Sequence, residues 1–93
     1  MEVDGGNIMN PYKENIKGNI SERTFNSSVD KSELVWHRDK EDRIVEVIGD
    51  TNWLFQMDNQ LPIKIEGEIF IPKNTFHRII KGDGDLKVKV QKL

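Results

Sequence analysis

Residues 67–90 read GEIFIPKNTFHRIIKGDGDLKVKV. Three short runs stand out: EIFI (68–71), FHRII (76–80) and LKVKV (86–90). Each is rich in β-branched or aromatic residues, and the turn signals PKN and GDGD separate them. Side chains alternate across a strand, so Leu86, Val88 and Val90 are expected to face inward while Lys87 and Lys89 face solvent. The same rule puts His77, Ile79 and Lys81 on one face of FHRII, and Phe76, Arg78 and Ile80 on the other.

The pattern continues upstream. ELVWHRD (33–39), RIVEVIG (43–49), NWLFQM (52–57) and IKI (63–65) are further candidate strands, with GDTN, DNQLP and EG between them. RTFNSSV (23–29) is a first strand. Nothing after Ser32 carries a helical period. Short strands at regular spacing predict an all-β sandwich or barrel. Residues 1–22 are polar and rich in Asn, Gly, Ser and Lys, and read as a flexible N-terminal arm before a single domain over 23–93. Within ELVWHRD, alternation sets Val35, His37 and Asp39 against Leu34, Trp36 and Arg38.

The bulk numbers exclude several classes. Ninety-three residues suffice for one domain with a small core. The chain has no cysteine, which rules out disulfides and thiolate metal sites and leaves nitrogen and oxygen ligands. A net charge of −2 lacks the basic excess of a nucleic-acid binder, so no nucleic-acid partner is expected. No apolar run approaches the roughly 20 residues that cross a bilayer, and the N-terminus lacks the pattern of a signal peptide. The expectation is a cytoplasmic protein with no membrane partner.

Two stretches together, HRDKEDRIVEVIGD (37–50) and GEIFIPKNTFHRIIKGDGDLKVKV (67–90), resemble the two signature motifs of the cupin superfamily. Pro72, Asn74 and His77 keep the spacing of the second motif. Asn74 stands in place of its glycine, and Asn is the next residue most tolerant of positive φ. Lys81 stands where the motif often has Asn. In the first motif His37 matches the first histidine, Asp39 takes the place of the second, and Arg43 takes the place of the Glu. The resemblance spans about residues 33–90. It implies a small cupin-like jelly-roll β-barrel whose strands carry His37 and His77 side by side, both imidazoles inward.

That arrangement implies a metal set of His37, Asp39 and His77. Two imidazoles and one carboxylate suit Fe, Mn, Zn or Ni as a divalent ion with open positions, and leave room for a small metal-dependent enzyme. Arg43 argues the other way, because a cation directed into the pocket repels a metal. With Lys81 it favours a non-enzymatic alternative: a pocket that binds or sequesters a small anionic ligand, a carboxylate or a phosphorylated molecule. Gln56 joins Arg43 and Lys81 as a candidate ligand-binding side chain. No serine or cysteine sits where a nucleophile and base would meet, so any catalysis falls to a metal or to histidine. Trp36 and Trp53 read as packing groups.

One layer of strands cannot cover both of its faces. Leu34, Trp36, Phe76 and Ile80 are expected to face outward, with Ile8, Met9, Tyr12 and Phe25 as anchors for the arm, and the apolar remainder predicts a homodimer.

Overall fold

The computed structural model describes residues 11–93. It is built from eight strands: β1 (Lys13–Lys17), β2 (Ile20–Phe25), β3 (Arg43–Val47), β4 (Leu54–Met57), β5 (Ile63–Lys64), β6 (Glu68–Ile71), β7 (His77–Ile80) and β8 (Leu86–Lys92). One 3-10 turn, Lys31–Glu33, is the only helical element among the described residues. The five-stranded sheet runs in the order β1-β2-β8-β3-β6, and a three-stranded sheet in the order β5-β4-β7. All ladders are antiparallel.

The two sheets pack face to face, as their alternation requires. On the large sheet Phe25, Ile69, Ile71, Leu86, Val88 and Val90 point inward, and Trp53 and Phe55 meet them from the small sheet and the loop before it. Trp53 is fully buried, 6.0 Å from Phe25 between ring centroids. Its indole N–H donates to the Gly84 carbonyl at 3.1 Å, so the one polar atom of the ring is satisfied. The all-β expectation holds, and so does the inward set of Leu86, Val88 and Val90.

Three expectations need correction. The ladders leave two separate sheets, so the closed β-barrel is not formed. ELVWHRD is not a strand: Asp30 caps the 3-10 turn by accepting from Ser32 N–H at 2.9 Å, and only His37 makes a bridge. This turns Leu34 inward against the core, while Trp36 and Phe76 remain 40% and 41% exposed. The stretch from residue 13 to residue 22, expected to be loose, holds β1 and the start of β2. Gly18, at φ 60°, and Asn19 form a two-residue turn joining β1 to β2, and β2 joins the large sheet through β8. Tyr12 and Phe25 do anchor this end; Ile8 and Met9 lie outside the described residues.

Gly82 fixes the approach of the β7–β8 turn to the loop that leads into β4. A Cβ there would stand 2.8 Å from both Asn52 C and Trp53 N. Asn52 holds the same turn from the other side, accepting from Asp83 N–H at 2.7 Å and donating to the Asp83 carboxylate at 3.0 Å. Backbone atoms cannot swing aside as a side chain can. Gly82→Ala is therefore expected to destabilise the fold by about 1–3 kcal/mol, read as a lowered midpoint in urea denaturation.

Candidate metal centre

His37 and His77 exchange both of their backbone hydrogen bonds. His37 N–H donates to the His77 carbonyl at 3.0 Å, and His77 N–H to the His37 carbonyl at 2.9 Å. Residues paired in this way present their side chains on one face. The rings meet edge to face, 4.3 Å between centroids. His77 is buried and stacks on Phe55 at 5.8 Å, whereas His37 lies at the solvent side.

Asp39 arrives by a second route. Asn74 takes φ 60°, the conformation its place in the motif predicts, and donates its N–H to the Asp39 carbonyl at 2.6 Å. Lys73 N–H donates to the Asp42 carboxylate at 2.8 Å. The β6–β7 turn thus grips the loop before β3 and sets the Asp39 side chain beside the imidazoles. One ligand atom from each of His37, Asp39 and His77 lies within 4.8 Å of the others. Sequence reasoning expected this triad, and the fold brings it together.

Hydrogen bonds decide which imidazole nitrogens face the cluster. His37 Nδ1 lies 3.1 Å from the Val35 carbonyl, and His77 Nδ1 lies 2.8 Å from the Thr75 carbonyl. A carbonyl only accepts, so each Nδ1 carries the proton and each neutral ring keeps its lone pair on Nε2. His77 Nε2 then faces Asp39 Oδ2 at 3.4 Å, a lone pair against a carboxylate oxygen. Asp39 Oδ2 is buried and has no hydrogen-bond partner among the described residues. A proton on His77 could bridge the two, but burial pushes the His77 pKa below its ordinary 6.5, outweighing Asp39. A divalent ion would satisfy all three atoms, since two ligands each about 2.0–2.1 Å from a tetrahedral zinc stand about 3.3 Å apart. The residues present fit such an ion.

Arg43 shares the inward face of β3 with Val45 and Val47, yet it does not act as a free cation. Its guanidinium meets Glu41 at 2.6 Å through Nη2 and at 3.1 Å through Nε, and Asp39 Oδ1 at 3.4 Å. Glu41 is its main partner, and that bond holds the Glu41 carboxyl below its usual pKa. The i, i+2 spacing of Glu41 and Arg43 was the available signal.

Lys81 and Gln56 are placed elsewhere. β7 ends at Ile80, so the alternation that aimed Lys81 inward stops one residue short; its ammonium donates to the Val29 carbonyl at 2.8 Å. Gln56 follows inward Phe55 and so faces out, accepting from Arg78 Nε at 3.0 Å and donating to the Gln60 carbonyl at 2.9 Å.

Behind the cluster a cavity of about 360 Å³ opens between the sheets. Its walls are mostly apolar, and the polar groups on it are the triad, Arg43, Arg23, Tyr12 and Glu33. Arg23 pairs with Glu14 at 3.1 Å and lies over the Tyr12 ring. Pro11 and Tyr12, from the stretch that the sequence assigns to the arm, thus supply wall together with Arg23 and Phe25 of β2; the GN turn between the two strands was the available signal for the hairpin.

The chain is similar in structure to a cupin domain from Bordetella pertussis Tohama I: TM-score 0.57, 15% identity, covering 88% of this chain and 91% of that one. It is also similar to the protein NMB1881 from Neisseria meningitidis, with TM-score 0.56, 11% identity, 88% of this chain and 81% of that one. No protein-family model matches the chain, and no curated protein does. At these identities the likeness shows the fold, which is cupin-like.

The lowered His77 pKa has a measurable sign. Between its folded and unfolded values the unfolded chain binds the extra proton, so stability of the metal-free protein is full above about pH 6.5 and falls as pH drops through that window. His77→Gln is expected to flatten this part of the stability–pH curve, measured by urea denaturation at a series of pH values.

Proposed function

We propose, from the cupin-like fold, that this chain holds one divalent metal through His37 Nε2, His77 Nε2 and the Asp39 carboxylate, and presents it to a small molecule in the adjoining cavity. The observation that carries the reading is the buried Asp39 Oδ2, unpartnered and facing an imidazole whose other nitrogen is committed to the Thr75 carbonyl. Iron, manganese, zinc or nickel suits the ligand set. A bound ion of this kind supplies Lewis acidity and open positions for an oxygen ligand, which is the chemistry of a small metal-dependent enzyme. The chain's own contribution is to fix the tautomer of each histidine, to hold Asp39 beside Arg43, and to shield the cavity from bulk water.

The metal-free, anion-capturing alternative draws less support. It calls for unpaired cations in the pocket. Arg43 is paired with Glu41, Arg23 with Glu14, and Lys81 points to Val29.

Metal analysis of untagged protein and titration of metal-free protein test the reading. One equivalent of metal is expected, and free metal at a hundredfold excess over Kd should raise unfolding stability by about 2.7 kcal/mol. The double variant His37→Ala/His77→Ala should keep the β-rich circular dichroism and lose the stabilisation. Stoichiometric metal retained in that variant would place the site elsewhere.

We also propose a homodimer of the cytoplasm. Val35, Trp36 and Phe76 cluster in sequence around the bridged histidines and stay exposed, with Arg78 stacked on Trp36 and Arg38 on Phe76. Full burial of one such side chain is worth about 1.5–3 kcal/mol. Light scattering at micromolar concentration should return a dimer mass for the wild type and a monomer for Trp36→Glu. A monomeric wild type would reject the dimer.

A further inference from the structure

The cavity behind the triad has a wall chemistry and a charge count that together select a ligand. Phe55, Ile69, Ile71, Ile79, Val88 and Val90 make up most of its depth. These side chains come from both sheets, and five of the six are buried, so the chamber is built into the core rather than pressed into a loop. Its volume of about 360 Å³ lies at the small end of pockets that enclose small molecules, roughly 300–1,000 Å³. The polar groups on its wall are the His37–Asp39–His77 triad, Arg43, Arg23, Tyr12 and Glu33.

The charges on that wall nearly cancel. Arg43 is matched by Glu41 and Arg23 by Glu14, and Glu33 is exposed at the rim. A divalent ion with the Asp39 carboxylate leaves a single positive charge facing an apolar chamber. An uncompensated charge there is costly, and one negative charge removes it. A dianionic phosphate overshoots, and a polyol finds no free hydrogen-bond partners along the apolar walls.

We infer that the cavity takes a compact apolar monocarboxylate: one carboxylate head at the His37–Asp39–His77 end and a ring or branched hydrocarbon body among the core side chains. The inference rests on the metal reading above. A carboxylate carries its charge at neutral pH without needing activation, whereas an alcohol or a phenol does not. The body gains from apolar burial and the head from direct ligation, so affinity depends on both at once.

The test uses the full chain loaded with one equivalent of Co2+, with binding read by calorimetry and by the visible bands of the ion. The probes are acetate, cyclohexanecarboxylate, cyclohexylmethanol and phenyl phosphate. Each methylene that enters the chamber should tighten binding about fourfold, so cyclohexanecarboxylate should exceed acetate by at least about a hundredfold. It should also exceed the neutral alcohol and the phosphate by about tenfold or more, and shift the cobalt bands. Val88→Phe and Ile79→Phe each fill part of the chamber; they should weaken cyclohexanecarboxylate about tenfold while still taking up one cobalt. The carboxylate size series on the wild type reads the same chamber should neither variant fold. Equal affinity for acetate and cyclohexanecarboxylate, or tighter binding of phenyl phosphate, overturns the inference and leaves the metal centre standing. A wild type that takes up no metal overturns both.

Discussion

Two backbone hydrogen bonds between His37 and His77 hold the arrangement together. They form a single bridge outside every regular ladder, yet they bring residues forty positions apart onto one face. A backbone hydrogen bond contributes about 0.5–1.5 kcal/mol net, so the bridge alone is a modest constraint. The Asn74–Asp39 and Lys73–Asp42 contacts reinforce it from the β6–β7 turn. The site thus depends on one loop being clamped between a turn and an edge strand. Regions held by few such contacts open more readily than core strands. The triad stands on a loop held by these few bonds, while the core behind it is secured by Trp53, Leu86 and their neighbours.

Arg43 occupies the position where the resembling motif carries an acid, and the structure explains how a cation is tolerated there. Glu41 faces it two residues earlier and takes both of its near donors. Its remaining contact, at 3.4 Å, is to Asp39 Oδ1, which leaves Oδ2 toward the histidines. An exposed pair of this kind would be worth little, but these side chains are largely shielded, 12% exposed for Arg43 and 14% for Asp39. Arg43 therefore stands against two neighbouring carboxylates, Glu41 and Asp39.

Much of this was legible in the sequence. Turn chemistry around Pro72 and Asn74, with clean alternation in LKVKV, was enough for the all-β class, and the matched histidines were enough for the triad. What failed has common physical causes. ELVWHRD looks like a strand because propensity registers Val and Trp but cannot see that Asp30 caps a 3-10 turn just before them. Lys81 fails because alternation is valid only while the strand lasts, and Gln56 because its neighbour Phe55 had already claimed the inward face. The β1–β2 hairpin was missed because every β1 residue is exposed, so it carries no apolar alternation to read. The paired cations could not be read from composition, since pairing is a matter of distance.

The strand order has a consequence for biosynthesis. β8, the last strand in chain order, lies in the middle of the large sheet, between β2 and β3. Until residues 86–92 leave the ribosome, the first hairpin and the β3–β6 ladder have no neighbour that joins them. The nascent chain must carry its unpaired edges and half-formed apolar layer until residues 86–92 emerge, then insert one strand between two waiting halves. Assembly of this kind is dominated by contacts distant in sequence, which slows folding and lengthens exposure to aggregation and to chaperones.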